Sequence, residues 1–217
     1  MNKARRFDAV LFDLDGTLMD TNELILQSFE HVFAVTGMNK WSRDEIIPYM
    51  GMPLWDQLRR FSGREEVDDL VVIYREYNLA HHDELIRPFP GMVELIRNLR
   101  RAGIRLGVVT TKSKHTAELG LRLYDVLDAF EVVVAIEDVT HAKPHAEPAE
   151  KALSVLQVPK NRVVMVGDSP ADLGCANQAG ISSVAVKWSL KTEEELSRYN
   201  PTFWIESLQE LEELCGI

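Results

Sequence analysis

Five short apolar runs, each ending in polar or acidic residues, restrict the fold of this sequence more than any other feature. They cover residues 9–14, 105–110, 131–136, 163–166 and 183–186. Runs of this length without polar alternation are typical of strands that are buried on both faces of a parallel sheet. Amphipathic segments separate the later runs, and Gly103 and Gly180 mark the ends of two of them. The alternation predicts an α/β fold with a doubly wound, Rossmann-like parallel sheet.

The segment after the first run has a different pattern. Residues 18–86 contain helical patterns, among them a helix capped by Asn22 and a capping box formed by Ser42 and Glu45, but no strand candidate. The helical stretches cover residues 22–33, 42–50, 54–61 and 67–85. We therefore expect a helical cap domain of four helices at 18–86, inserted into a core made of residues 1–17 and 87–217. The hinges are expected near residues 18–20 and 87–91.

Charge and composition narrow the range of partners. The formal net charge is −10, which disfavours nucleic acids and anionic membranes. No stretch is long and apolar enough for a membrane span, and no signal sequence is recognised, so we expect a cytoplasmic protein. Cys175 and Cys215 match no metal-binding spacing and are expected to be buried, free thiols. The sequence leaves the oligomeric state open.

Two carboxylates close the first apolar run. Asp13 and Asp15 are separated by one residue, so they project to the same side of an extended chain, and Gly16 permits a tight turn after them. Open α/β sheets bind ligands at the carboxyl ends of their strands. An ordinary solvated turn would also explain Asp-Gly, because this pair is common in turns.

Polar side chains also follow two later runs. Thr110, Thr111 and Lys112 end the second run, where hydroxyl and backbone N–H groups can bind phosphate oxygens. Asp168 follows the run 163–166, and Asp172 lies one helical turn further on, so that both could face one Mg²⁺ site. An ordinary strand-to-helix connection and a carboxylate at a helix N-terminus are the alternatives.

A single lysine completes the set of candidate residues. Lys143 precedes Pro144 in a loop, where its ammonium could neutralise a phosphate or hold a carboxylate. A solvated surface lysine is the simpler explanation when this residue is taken alone.

Together and in this order, these residues resemble the four motifs of the haloacid dehalogenase superfamily. The matching residues are Asp13-Leu14-Asp15-Gly16-Thr17, Thr110, Lys143-Pro144, and Gly167-Asp168 with Asp172. The resemblance covers essentially the whole chain, and the helical insert is similar to the cap of that superfamily. It implies a Rossmann-like core, a hydrolytic activity on phosphorylated substrates and a Mg²⁺ cofactor.

The resemblance also implies roles for single residues. Asp13 resembles the nucleophile that attacks phosphorus, and Asp15 the general acid and base. Thr110 resembles the phosphate-binding hydroxyl, and Lys143 the cation beside the nucleophile and the phosphoryl oxygens. Dehalogenases of the superfamily lack the second aspartate, so that Asp15 indicates a phosphatase.

The implied metal site uses oxygen ligands from two motifs. The carboxylates of Asp13 and Asp168 and the backbone carbonyl of Asp15 resemble the Mg²⁺ ligands, and Asp172 resembles the outer-shell carboxylate. A carboxylate that attacks a phosphate meets charge repulsion, which Mg²⁺ and Lys143 would offset.

Further stretches narrow the resemblance to phosphoglycolate-phosphatase-like members with a helical cap, and most closely to inorganic pyrophosphatases of Gram-positive bacteria. These stretches are residues 20–25, 109–112, 138–144 and 147–148. The expected substrate is inorganic pyrophosphate. Phosphoglycolate or another small phosphomonoester, a phosphomutase reaction, and a non-catalytic binding protein on the same fold are the alternatives.

A pyrophosphate substrate needs cations for its second phosphate. We expect these cations to come from the loop at Thr111 and Lys112 or from the insert. The insert is acidic, with thirteen Asp and Glu against six Lys and Arg. Its basic candidates are Lys40, Arg43, Arg59, Arg60 and Arg64.

Overall fold

The structure, a computed structural model, describes residues 5–217. Within these residues, six strands form a parallel sheet in the order β5-β4-β1-β6-β7-β8, and two further strands form an antiparallel pair. The strands are β1 Ala9–Phe12, β2 Met19–Asp20, β3 Arg87–Pro88, β4 Arg105–Val109, β5 Val132–Val134, β6 Val163–Gly167, β7 Ser182–Val186 and β8 Phe203–Ile205. The predicted α/β class with a doubly wound parallel sheet is confirmed.

The helices divide into two groups along the chain. Five lie in the insert, namely α1 Asn22–Thr36, α2 Arg43–Ile46, α3 Leu54–Ser62, α4 Asp68–Ala80 and α5 His82–Leu85. Six follow it, namely α6 Met92–Arg101, α7 Lys114–Leu123, α8 Glu147–Leu156, α9 Pro170–Ala179, α10 Glu193–Ser197 and α11 Gln209–Cys215. Helix α9 begins and ends at the predicted residues. The Ser169 side chain caps its N-terminus by accepting a hydrogen bond from the Asp172 amide, and Gly180 ends the helix at φ 71°.

Strand β1 lies in the middle of the sheet, and its side chains fill both faces. Val10 and Phe12 belong to an apolar cluster on one face together with Leu95 of α6. Ala9 and Leu11 belong to the cluster on the other face, which α8 and α9 cover. Because a strand alternates sides, this pattern requires every residue of β1 to be apolar. The burial holds the end of β1 rigidly in place.

The insert has an apolar cluster of its own. Phe29 and Phe33 of α1 pack with Phe61 of α3 and Leu70 of α4, separately from the two clusters on the sheet. The division into a core of residues 1–17 and 87–217 and a cap of residues 18–86 is therefore a proposal, which this separate cluster supports.

Several predicted boundaries in the insert are wrong. Thr21 rather than Asn22 precedes α1, which continues beyond residue 33 to Thr36. The predicted helix over 67–85 is interrupted at His81, so the insert has five helices instead of four. The insert also contains a strand, since Met19 and Asp20 in β2 pair with Pro88 and Arg87 in β3. Two residues per strand are too few for a hydrophobic pattern to mark them.

The two cysteines are in the state predicted from the sequence. Cys175 and Cys215 are both buried, free thiols, as predicted. No helix within residues 5–217 combines the length and the hydropathy needed to cross a membrane.

Candidate active site

The carboxyl ends of three neighbouring strands bring the predicted residues together. Asp13 follows β1, Thr110 follows β4, and Asp168 follows β6. The Asp13 amide donates to the Val166 carbonyl at 2.9 Å, which fixes the end of β1 against β6. In a parallel sheet these ends lie at one edge, so the motif residues meet although they are far apart in sequence.

Lys143 lies at the centre of the site and is only 4% exposed. Its Nζ donates to Asp13 Oδ1 at 2.8 Å, to Asp172 Oδ1 at 2.6 Å and to the Val109 carbonyl at 2.9 Å. These three acceptors use all three hydrogens of the ammonium group. Although burial opposes the charged form, the two carboxylates raise the pKa of Lys143, so this residue stays a cation. The alternative of a solvated surface lysine is therefore wrong.

The carboxylates around Lys143 outnumber its single charge. Burial, reinforced by Asp172, raises the pKa of Asp13 to about 7, although Lys143 acts in the opposite direction. Burial together with Asp172 and Asp13 raises the pKa of Asp168 well above its ordinary value. The site therefore contains an excess of negative charge that a further cation would relieve.

The same carboxylates fit a Mg²⁺ ion. One oxygen from each of Asp13, Asp168 and Asp172 lies within 4.8 Å of the others. Asp172 is already engaged, because its Oδ1 accepts from Lys143 and its Oδ2 accepts from the Ser169 amide and hydroxyl. Within residues 5–217, no protein group donates to the Asp168 carboxylate or to Asp13 Oδ2. Hard, unpartnered carboxylate oxygens are suitable Mg²⁺ ligands, and Asp172 fits the outer position predicted for it.

Two motif glycines make this close arrangement possible. Gly16 has φ +75°, and a Cβ on it would lie 2.4 Å from Asp168 Oδ2. A Cβ on Gly167 would lie 2.2 Å from the Asp172 Cβ. Any side chain at either position would displace a carboxylate of the cluster.

Replacing Asp168 with asparagine tests whether the cluster binds Mg²⁺ without relying on activity. The folded-state pKa of Asp168 exceeds its ordinary value of 3.8, so its contribution to stability falls as pH rises above that value. At pH 8 without Mg²⁺, we expect Asp168→Asn to have a higher Tm than the wild type. Mg²⁺ should raise the Tm of the wild type but not of Asp168→Asn.

Asp44→Asn is the control for this measurement, because Asp44 is exposed in the insert. It should respond to Mg²⁺ like the wild type. Equal Mg²⁺-induced increases in Tm for the wild type and Asp168→Asn would contradict a metal site at Asp168.

A cavity lies between the motif residues and the insert. Asp13, Asp15, Asp168, Thr110 and Lys112 line it on the core side. Lys143 and Asp172 are not among its lining residues. In this conformation Lys143 therefore acts from beneath the cavity, through Asp13, rather than from its wall.

Asp15 and the loop after β4 form one wall of the cavity. Lys112 Nζ binds the Asp15 carboxylate at 3.1 and 3.2 Å, and the Lys112 amide donates to Thr110 Oγ1 at 3.1 Å. The Thr111 hydroxyl donates to the Gly51 carbonyl of the insert at 3.1 Å. Thr111 thus lines the cavity and also contacts the insert. The sequence predicted a role in substrate binding for Thr111 but not this contact with the insert.

The insert contributes cavity residues that the sequence did not reveal. Trp55 and Gln57 of α3 line the cavity, as do Tyr74, Arg75 and Asn78 of α4. Tyr74 and Asn78 are four residues apart and therefore share a helix face, but nothing in the sequence indicates that this face lies over Asp13.

The basic residues expected to line the cavity from the insert do not do so. Arg43 pairs with Glu23 and Glu30. Arg59 and Arg64 pair with acidic neighbours, Arg60 stacks on Tyr49, and Lys40 is exposed. The choice of these five candidates was wrong, and ion pairs within the acidic insert hold three of them.

Lys191 is a core residue near the site that the sequence did not indicate. It is 8% exposed, and its Nζ donates to the Ile47 carbonyl of the insert. Gly51, four residues further on, packs so closely that a Cβ on it would lie 3.2 Å from the Ser169 hydroxyl. Residues 47–51 of the insert therefore lie directly against the motif loops of the core.

A second cluster of metal-binding residue types surrounds the loop that carries Lys143. It consists of His141, His145 and Glu147. The Glu147 carboxylate accepts from the Thr140 and His141 amides at 2.7 and 2.9 Å, and these bonds lower its pKa to about 2. His145 Nδ1 accepts from the Glu147 amide. These groups already hydrogen-bond to one another. Their hydrogen bonds therefore hold the loop of residues 140–147, which carries Lys143, in this conformation.

Known proteins have sequences similar to this one over nearly the whole chain. The model of the haloacid dehalogenase-like hydrolases matches residues 10–186. Pyrophosphatase PpaX of Bacillus cereus is 40% identical over 206 residues, which cover 95% of each chain. Pyrophosphatase PpaX of Anoxybacillus flavithermus is 38% identical over 97% of each chain.

Solved structures of other proteins also resemble this chain in fold and sequence. CbbY from Rhodobacter sphaeroides, in complex with phosphate, has a TM-score of 0.82 at 29% identity and covers 94% of this chain and 96% of its own. A haloacid dehalogenase-like hydrolase from Streptococcus pneumoniae has a TM-score of 0.85 at 26% identity and covers 96% of this chain and 98% of its own. The family match spans all four motifs. The chain is therefore a hydrolase that belongs to the haloacid dehalogenase-like family.

Proposed function

We propose that this protein is a Mg²⁺-dependent phosphohydrolase that transfers a phosphoryl group to Asp13, and that its substrate is inorganic pyrophosphate. The observation that carries the mechanism is the Asp13 carboxylate, which lies at the floor of the cavity and is held by the buried ammonium of Lys143 at 2.8 Å. A fixed carboxylate that is open to a ligand on one side and supported by a cation on the other is suited to nucleophilic attack.

In the first step, an Asp13 oxygen forms a bond to the terminal phosphorus as the bridging P–O bond breaks. The leaving phosphate departs with the electron pair of the broken P–O bond. It also gains a proton, which Asp15 supplies from the wall of the cavity. Lys143 keeps Asp13 in place through Oδ1, and the Thr110 hydroxyl is positioned to bind a phosphoryl oxygen. A Mg²⁺ ion held by Asp13 and Asp168 would neutralise negative charge on the transferred group.

In the second step, Asp15 accepts a proton from a water molecule that attacks the phosphorus of the phospho-aspartate. The bond from Asp13 to phosphorus breaks and the carboxylate is regenerated, together with free phosphate. One residue acting first as acid and then as base needs no further titratable group in the cavity.

The insert limits which substrates reach Asp13. Lys191 and Thr111 bind the insert backbone at Ile47 and Gly51, so that residues 47–51 lie over the motif loops. We propose that this conformation is the closed one, that it excludes bulk water, and that the paired strands β2 and β3 are the hinge. A covered cavity of this kind favours small substrates over phosphorylated proteins.

The choice of pyrophosphate is supported by the two relatives named pyrophosphatase PpaX, which match nearly the full chain. In the part of the chain that the structure describes, two cationic side chains line the cavity, Lys112 from the core and Arg75 from the insert. A substrate whose leaving group is itself an anion would use both sides of such a cavity.

A comparison of two substrates tests this assignment. We expect kcat/KM for pyrophosphate to exceed that for phosphoglycolate by at least ~10-fold, which corresponds to roughly 1.4 kcal/mol of transition-state preference. Phosphate release is measured for each substrate at equal concentrations with excess Mg²⁺, with Asp13→Asn as the background. If phosphoglycolate or another monoester is the better substrate, the pyrophosphatase assignment fails while the phospho-aspartate mechanism stands.

A further inference from the structure

Two cationic residues among residues 5–217 line the cavity, and of these only Arg75 is free of a carboxylate partner. Lys112 is committed to Asp15, with Nζ 3.1 Å from Oδ1. Arg75 projects from α4 and lines the cavity from the insert side. Within residues 5–217 no carboxylate lies within salt-bridge distance of it. Its charge is therefore available to an anion inside the cavity.

Trp55 holds the Arg75 guanidinium in position. The guanidinium carbon lies 4.7 Å from the centre of the Trp55 ring, and Trp55 Nε1 donates to Asp68 Oδ1 at 2.9 Å. A guanidinium stacked on an indole keeps the N–H groups along its edge free, and these can bind two oxygens of one phosphate. Arg75 is an exposed residue, so this stacking contact favours one orientation of its donors towards the cavity.

The insert also contributes a buried polar group to the lining of this cavity. Gln57 is 6% exposed and lines the cavity, and its Nε2 donates to the Met52 carbonyl at 2.8 Å. Its Oε1 is buried and has no partner within the described residues. Leaving a buried acceptor unpaired costs about 1–3 kcal/mol. A hydroxyl group of a protonated phosphate would satisfy it once binding exposes Oε1 to the cavity.

We propose that Arg75, stacked on Trp55, binds the leaving phosphate of a diphosphate substrate. It thereby sets the preference of the cavity for such substrates over monoesters whose alcohol or phenol portion carries no charge before the ester bond is broken. The inference rests on the proposed function, because it needs Asp13 to attack one phosphoryl group at the floor. The second phosphate then extends towards the insert, where Arg75 provides the free cationic donors.

Arg75→Met tests the proposal with two substrates, pyrophosphate and p-nitrophenyl phosphate. The second substrate presents the same phosphoryl group to Asp13 but lacks a second phosphate. We expect kcat/KM for pyrophosphate to fall at least ~10-fold, mainly through KM, because the lost contact already exists in the bound ground state. The value for p-nitrophenyl phosphate should change less than about twofold, since this substrate does not use Arg75. Arg75→Lys keeps the charge but not the planar guanidinium. Its kcat/KM for pyrophosphate should lie between the values for Arg75→Met and the wild type.

Arg60→Met is the matched control. Arg60 is also an insert arginine stacked on an aromatic ring, 4.3 Å from the centre of Tyr49, but it does not line the cavity. This substitution should leave kcat/KM unchanged for both substrates. An Arg75→Met variant that loses both activities equally, or keeps full activity on pyrophosphate, overturns the role of Arg75 and leaves the proposed function intact. A wild-type protein that hydrolyses neither substrate overturns the proposed function and this inference together.

Discussion

Replacing Asp13 with asparagine is expected to lower kcat for pyrophosphate by roughly 10⁴-fold or more, because an amide cannot form the phosphoryl intermediate. The fold should be kept. The substitution preserves volume, the amide oxygen can still accept from Lys143, and Lys143 retains Asp172 at 2.6 Å. Burial already raises the pKa of Asp13 to about 7, so a neutral side chain at this position carries no desolvation cost.

The measurement is phosphate release at saturating Mg²⁺, accompanied by thermal unfolding of both proteins. Asp8→Asn is the control, because Asp8 lies at the opposite end of β1 and pairs with Arg162 on the surface. It should lose little activity. Near-normal turnover in Asp13→Asn would show that water attacks the substrate directly and would refute the nucleophilic role of Asp13.

Replacing Asp15 with asparagine is expected to slow turnover by about 10²–10⁴-fold, which is the range for loss of a general acid or base. The two steps should respond differently. Attack by water on the phospho-aspartate needs a base, so this step is blocked for every substrate. Expulsion of p-nitrophenolate needs little protonation, so the first step should survive with p-nitrophenyl phosphate. Asp15→Asn should therefore accumulate as a phosphorylated protein.

The core of the site was predictable because it depends on local rules. Asp13, Thr110 and Asp168 each follow a short apolar run, and the carboxyl ends of neighbouring parallel strands meet at one edge. Gly16 was recognised as a turn residue, and the structure adds the reason that only a glycine fits beside the Asp168 carboxylate. Each motif alone also allowed an ordinary turn or loop connection, and the resemblance to the haloacid dehalogenase superfamily was needed to choose the site.

The insert side of the site was not predictable in the same way. Arg75 and Trp55 meet through the packing of α4 against α3, and Lys191 reaches the insert from a loop more than a hundred residues away. No local pattern encodes contacts of this kind. The five basic candidates named from the sequence did not include Arg75, and acidic neighbours hold Arg43 and Arg64 elsewhere.

Short elements were the other source of error. Strand β8 has only three residues, Phe203–Ile205, and was missed because its apolar run is too short to distinguish from a loop. It pairs with β7 and adds the sixth strand at the edge of the sheet. Its omission left the predicted site unaffected, because Asp13, Thr110 and Asp168 follow β1, β4 and β6, which lie in the middle of the sheet.

The most direct test of the central claim is rapid acid quenching of Asp15→Asn mixed with p-nitrophenyl phosphate and Mg²⁺. The account predicts a burst of nitrophenol equal to one molecule per protein chain. It also predicts that the peptide containing Asp13 gains the mass of one phosphoryl group, and that neither signal appears when Asp13 is also replaced by asparagine. A wild-type-like steady rate without a burst, or a phosphoryl group on any residue other than Asp13, would contradict it.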